Sequence, residues 1–375
     1  METKVALKDI AKLFLKLGFI GFGGPAAHIA MMQQEFVVKR QWLSEQHFLD
    51  LLGATHLIPG PNSTEMAIHI GHEKAGWKGL IVAGICFILP AVFITGALAW
   101  LYKQYGQLPE VQPFVYGIKP AIIAIILGAI FPMAKKALQS TELVIIGVLV
   151  LLLSLLDFNE IYLLFGAGFL ALFWRAFRNK NNLTFLFPLP FLQITQSPLL
   201  TATNANLFWI FLKIGAVLYG SGYVLFAFLD TELVATGLLS RQSLVDAIAV
   251  GQFTPGPVFS AVTFIGYQIN GLTGAVVSTI AIFLPSFVFV ALLNPLVMKM
   301  RNNKPFAVFL DAVNVASVSV IIAVCCEMGK ETITDWRTIL IALLGMVMVF
   351  RFQKMNSAFV VVGGALSGYL LYLIP

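Results

Sequence analysis

Two Pro-Gly-Pro tripeptides, Pro59-Gly60-Pro61 and Pro255-Gly256-Pro257, stand inside long apolar regions. Proline breaks a helix interior but suits a first turn, so each tripeptide reads as the start of a new helix. A helix beginning at Pro61 leaves the N–H groups of Asn62, Ser63 and Thr64 without intrahelical acceptors. In the second copy the equivalents are Val258, Phe259 and Ser260. An anion at the positive end of a helix satisfies such donors directly. A plain proline kink between packed helices is the structural alternative; recurrence in register beside polar residues favours the anion site.

Each tripeptide is preceded by a glycine-rich segment, Gly21-Phe22-Gly23-Gly24-Pro25 and Leu218-Tyr219-Gly220-Ser221-Gly222. Glycine lets backbone approach a ligand, but it also lets membrane helices pack closely, and the sequence leaves both open. Lys16 and Lys213 each lie five residues before their glycine-rich break. They suit a cation lining an anion path, or a side chain snorkelling to the interface. The substrate-binding candidates are therefore Lys16, Gly23, Gly24, the first tripeptide with Asn62, Ser63 and Thr64, then Lys213, Gly220, Gly222, the second tripeptide and Ser260. Glu65 has no acidic counterpart in the second half, where Ala261 stands; with His69 it is a candidate for carrying a proton. No Ser-His-Asp order, zinc signature or phosphate loop occurs, so neither an enzyme nor a cofactor or metal is expected.

The elements that must hold these residues are membrane helices. Of 375 residues 59% are hydrophobic and 11% charged, against about 25% charged in a soluble domain. The mean hydropathy is +0.88. The net charge of +6 falls mainly in short loops between apolar spans, which favours membrane topology over nucleic acid as its explanation. Cys86, Cys325 and Cys326 lie in apolar spans and read as packing residues. No cleavable signal peptide is expected.

The chain is an internal repeat. Phe14-Leu15-Lys16-Leu17-Gly18 matches Phe211-Leu212-Lys213-Ile214-Gly215, and Glu35 falls on Glu232. Asp50 falls on Asp246, Ile70-Gly71 on Ile265-Gly266 and Leu89-Pro90 on Leu284-Pro285. The spacing between copies drifts only from 197 residues at Lys16 to 195 at Leu89. The expected organisation is a first repeat over 1–177, a linker over 178–206 and a second repeat over 207–375. The expected fold is an all-α polytopic membrane protein. Each repeat carries about five transmembrane helices and a re-entrant hairpin with Pro-Gly-Pro at its tip. An odd number of crossings inverts the second copy, and loop charges agree: Lys74, Lys78, Lys135 and Lys136 on one face, Asp157 and Glu160 on the other. One end disagrees: Lys4, Lys8 and Lys12 favour a cytoplasmic N-terminus where inversion places it outside. An amphipathic N-terminal helix, or a first segment that enters and returns, would reconcile them.

Phe-Leu-Lys-Leu-Gly-x3-Phe-Gly-Gly-Pro, then Ile58-Pro59-Gly60-Pro61, then Ile-Gly-x4-Gly-x2-Gly before Leu-Pro resemble the chromate ion transporter family in its long, two-domain form. The resemblance covers nearly the whole chain and is strongest over 14–93 and 211–288. It implies export of chromate, a tetrahedral oxyanion dianion, across the inner (plasma) membrane, giving chromate resistance. Sulfate, of the same shape and charge, is the natural competitor, and a transporter of sulfate or another anion, working in uptake, is the first alternative. A membrane scaffold or lipid-handling protein without ion flux is the reading from another class. The partners expected are the oxyanion and the lipid bilayer, with a homodimer left open and no nucleic acid. The second half departs from the fuller motif, with Gly220-Ser221-Gly222 for Gly23-Gly24-Pro25 and nothing matching Asn62-Ser63 or Glu65. The two halves are therefore not expected to contribute equally.

Overall fold

The computed structural model describes residues 5–22, 24–106, 108–156, 158–178, 203–220, 222–300, 304–352 and 355–373. Of the expected linker, 179–202 lie outside the described residues, and Asn204 already opens a helix.

All regular elements among the described residues are helical, and they occur as two matching sets of seven. The first set is α1 (Leu7–Ile20), α2 (Gly24–Gln33), α3 (Glu45–Thr55), α4 (Asn62–Tyr105), α5 (Gln112–Ala137), α6 (Thr141–Ser154) and α7 (Glu160–Arg178). The second is α8 (Asn204–Val217), α9 (Val224–Leu229), α10 (Arg241–Phe253), α11 (Ala261–Met300), α12 (Lys304–Thr332), α13 (Trp336–Arg351) and α14 (Ser357–Tyr372). Even the irregularities recur: a π-helical turn follows α2 (Gln34–Lys39) and α9 (Asp230–Val234).

Five helical stretches are long and apolar enough to cross a membrane among the described residues: Asn62–Tyr105, Gln112–Ala137, Glu160–Phe177, Val258–Leu292 and Pro305–Thr332. Large apolar side chains point outward along them, with Phe93 and Leu272 each 72% exposed. Such a surface would aggregate in water and is solvated by lipid. The chain is a multi-pass membrane protein.

α4 and α11 are each a V rather than a rod. In α4 the helix breaks at Ala75 and Gly76 (φ 59°, ψ −148°), and in α11 at Asn270 and Gly271 (φ 61°, ψ −152°). This region of backbone space is essentially closed to residues with a Cβ. The short arm of α4, 62–74, is ~20 Å long at 1.5 Å per residue and folds back on the long arm. Gly71 meets Gly79 across the V, as Gly266 meets Gly274 in α11. On its other side each short arm forms a second hairpin with the preceding helix. His47 of α3 lies 3.4 Å from Glu73, and Gly251 of α10 faces Ala261, so each Pro-Gly-Pro is a hairpin tip.

The long arms of α4 and α11 pack antiparallel. Gly84 lies against Phe287, whereas Ala99 O accepts from Gln268 Nε2 at 3.0 Å, near the Gly271 turn. The Gly76 and Gly271 turns therefore sit at opposite ends of this pair. Five crossings per repeat would need 10–36 and 207–229 each to cross as one span, but each is interrupted at the glycine-rich break. The first enters and returns: Val5 N donates to Lys74 O at 3.3 Å, and after the break Phe36 comes back to stack on Phe14 at 5.2 Å. Val5, the first described residue, thus lies at the Lys74 end of the molecule. The reason is local: the glycines after Ile20 weaken the helix, and Pro25, which cannot continue one, suits the first turn of α2.

The two repeats interlock. The antiparallel pair α6 and α7 packs on α12 of the other repeat, and α13 and α14 pack on α5. The hairpins are held unequally. On α10, Asp246 is buried and accepts from Tyr102 Oη at 2.5 Å, with Lys119 Nζ at 3.8 Å. Its counterpart Asp50 on α3 accepts from Gln46 at an exposed position.

Gly76→Ala and Gly271→Ala meet no neighbouring atom, so their cost is backbone strain alone, about 1–3 kcal/mol each. Thermal unfolding in detergent should show both destabilised. Gly166→Ala, in an equally open place within helical backbone, should be neutral or stabilising.

Candidate functional site

Each hairpin tip docks on the glycine-rich break of the other repeat. Gly60 N–H donates to Leu218 O at 2.8 Å, and Gly256 N–H donates to Gly21 O at 2.7 Å. The tips have room for this only because they are glycine with positive φ, 137° at Gly60 and 90° at Gly256. A Cβ on Gly256 would come within 2.9 Å of Ala91, and one on Gly60 would land on the Glu65 carboxylate, 2.6 Å from Ser286 Oγ.

A cavity of about 60 Å³ lies where tips and breaks meet. One water takes roughly 10–15 Å³ on this measure, so the space fits several water-sized atoms, the scale of an anion with four oxygens. The first tip contributes Gly60, Pro61, Asn62 and Ser63 to its wall, and the second Pro257, Val258 and Phe259. Pro25, Gly220 and Gly222 of the breaks complete it. Among the described residues no charged side chain lines it.

The first turns explain what the wall offers. At α4, Thr64 N–H and Glu65 N–H close on Pro61 O at 2.8 and 3.1 Å. At the 3-10 turn before α11, Ser260 N–H closes on Pro257 O at 2.9 Å. Among the described residues the N–H groups of Asn62, Ser63, Val258 and Phe259 remain as the open donors of two helix N-termini, and all four residues line the cavity. The carbonyl ends of α1 and α8, which would repel an anion there, are capped by the two tip N–H groups.

The remaining sequence candidates are placed elsewhere. Thr64 is fully buried with its hydroxyl unpartnered, and the Ser260 hydroxyl accepts from Thr95 Oγ1 at 3.3 Å, so neither faces the cavity. Pro59, Pro255, Gly256 and Gly24 shape the tips and the first break without lining it, and Gly23 lies outside the described residues. The lysines are not at the cavity either. Lys213 Nζ is 2.5 Å from Glu232 Oε2, and Lys16 is exposed and acts on Glu35, which also pairs with Lys39 and Arg40. Both lysines precede the break, and the returning chain brings the repeat-related glutamate back beside each of them.

Glu65 and His69 lie behind the first tip, both fully buried. Glu65 Oε1 accepts from Ser286 Oγ at 3.4 Å; Glu65 Oε2 and both ring nitrogens of His69 have no partner. Ser286 escaped the sequence reading, although a signal existed. It follows Leu284-Pro285 where Ala91 follows Leu89-Pro90, so the polar pair Glu65 and Ser286 replaces the apolar pair Ala261 and Ala91. His28 also escaped it; it is buried and its Nε2 lies 2.8 Å from Gly21 O, steadying the break that receives the second tip.

The family description headed "Chromate transporter" matches this chain twice, over residues 8–172 and 205–369. The chain belongs to the chromate transporter family. The chromate transport protein of Cupriavidus metallidurans is 33% identical over 98% of this chain and 93% of its own length. A probable chromate transport protein of Synechococcus elongatus is 30% identical over 98% and 96%. The chromate transport protein of Pseudomonas aeruginosa is 27% identical over 96% and 91%. No solved structure matches. In this member of the chromate transporter family both matched repeats carry a tip that reaches the cavity.

Breaking the Lys213–Glu232 pair by Lys213→Gln leaves a largely buried carboxylate alone, at up to about 3–5 kcal/mol. The double variant Lys213→Gln/Glu232→Gln should recover most of that loss in detergent melts. A lysine acting on substrate would instead leave transport lost in both variants.

Proposed function

We propose that this protein exports chromate, a tetrahedral oxyanion dianion, through the cavity between the two Pro-Gly-Pro tips, and so confers chromate resistance. The observation that carries this reading is the convergence of four open first-turn N–H groups, two from each repeat, on one small cavity that no charged side chain lines among the described residues. Each helix N-terminus presents roughly half a positive charge, and N–H donors spread over two walls suit an ion that accepts on every side. Family membership supplies the substrate class: relatives of nearly the same length are named for chromate transport.

Placed in the inner membrane, the repeats are read as inverted, with the Gly76 and Gly271 turns toward opposite faces. The tips, at the end of half-length arms, then stand near mid-depth. An inside-negative potential drives a dianion outward by about 2.3 kcal/mol per charge per 100 mV, which favours export. Sulfate shares chromate's shape and charge and is expected to compete for the same donors.

In vesicles holding the purified protein, chromate should move and excess sulfate should slow it. Ser63→Asp places a carboxylate in the cavity wall and should cut chromate flux by about tenfold or more, a loss of at least 1.4 kcal/mol, while Ser63→Ala is tolerated. If neither chromate nor sulfate moves with wild-type protein, the oxyanion reading fails.

A further inference from the structure

Behind the cavity wall, the carboxyl of Glu65 has a setting that oxyanion binding at the tips does not use. We propose that Glu65 is a proton-binding site coupled to the cavity, so that the oxyanion crosses together with one proton held on this carboxyl. The proposal rests on the oxyanion reading above and adds the co-transported ion.

Glu65 is 0% exposed, receives one long hydrogen bond from Ser286 and leaves Oε2 unpartnered. No lysine or arginine pairs with it among the described residues. The groups facing it are few. α11 offers the Ser286 hydroxyl, and the break after α8 offers Tyr219, whose phenol lies within electrostatic reach. On its own arm His69 follows one turn later, with His72 beyond it. α3 carries His47 to the other end of the hairpin, where it meets Glu73, while His56 at its C-cap stands at the tip end with Nδ1 2.9 Å from Asn62 Nδ2. Lys16 on α1 acts on Glu35. An ionised carboxylate at Glu65 would therefore have neither counter-charge nor water, whereas the carboxylic acid gains an O–H donor.

The link to the cavity is Gly60. A Cβ on Gly60 would land on Glu65 Oε1, so no side chain separates the carboxyl from the tip, while Gly60 itself lines the cavity. One residue's thickness of backbone thus divides the carboxyl from a bound dianion, and ionised Glu65 would repel it across that distance. The anion enters when the carboxyl is protonated, the proton coming from water on the side of entry. When the site opens to water on the side of exit, the anion leaves and the carboxyl, now hydrated, can ionise and give up its proton there. The second tip has Ala261 and Ala91 in the corresponding places, so one proton, not two, moves per cycle. A dianion crossing with one proton carries one net negative charge.

The test uses full-length protein in lipid vesicles loaded with a pH-sensitive dye, with chromate as the probe and sulfate as a second arm. Wild type should acidify the lumen as chromate enters, with flux rising several-fold from pH 8 to pH 6. Glu65→Gln keeps the shape and the Ser286 contact; whatever chromate it carries should cross without protons and without that pH dependence. Ser286→Ala keeps the carboxyl and should shift the pH of half-maximal flux. Chromate flux in wild type without proton movement, or proton movement persisting in Glu65→Gln, overturns the proposal. Should no oxyanion move at all, the cavity reading fails, and infrared difference spectra in detergent decide Glu65 separately. A protonated-carboxyl band at neutral pH that is missing from Glu65→Gln, with the variant eluting as folded protein, supports the proton site. Identical spectra overturn it.

Discussion

Backbone N–H and C=O groups inside a bilayer find no water, so every interruption of a helix there must find its partners within the protein. This chain interrupts its helices at two glycine-rich breaks and two Pro-Gly-Pro tips. The reciprocal bonds from Gly60 to Leu218 and from Gly256 to Gly21 join each tip to the opposite break. These bonds cross between repeats, so neither half completes its own broken backbone. The interlocked packing of α5 with α13 and α14, and of α12 with α6 and α7, follows the same exchange. What the two bonds leave over, four N–H groups at two helix starts, is the chemistry available at the cavity.

The repeats share a scaffold but not a set of contacts. The first tip is backed by Glu65 and Ser286, and the second by Ala261 and Ala91. The hairpin of α10 is tied to α4 and α5 through Tyr102, Lys119 and Asp246, while α3 leaves its side of the molecule less covered. Duplication explains the matching backbone, down to the paired π-helical turns and the paired breaks at Gly76 and Gly271. Divergence of a few polar side chains then separates the roles of the halves, which backbone symmetry leaves free to vary.

Much of the fold was legible in the sequence because its signals are local. Proline and glycine state where a helix stops, hydropathy states the solvent, and register shows the repeat. The hairpin tips at Pro-Gly-Pro were read correctly, and seven of the residues singled out line the cavity: Gly60, Pro61, Asn62, Ser63, Gly220, Gly222 and Pro257. The lysines were harder. Position along a helix suggested cations facing an anion path, but the returning chain after each break carries a glutamate to them. Thr64 and Ser260 were offered as ligands from their place in the first turn. Whether that turn closes one residue earlier or later depends on three-dimensional geometry, and here it closes on the proline carbonyl.

Composition and register alone make this a membrane protein of two related halves, each broken at glycine and at Pro-Gly-Pro, with one acid, Glu65, beside the first tip. Backbone chemistry dictates those features residue by residue. Only the tertiary structure decided which break receives which tip, that Lys213 answers Glu232, and that Ser286 stands over Glu65 from 221 residues away. Such pairings depend on how long helices close against one another, and no local pattern encodes the distance between chain segments so far apart.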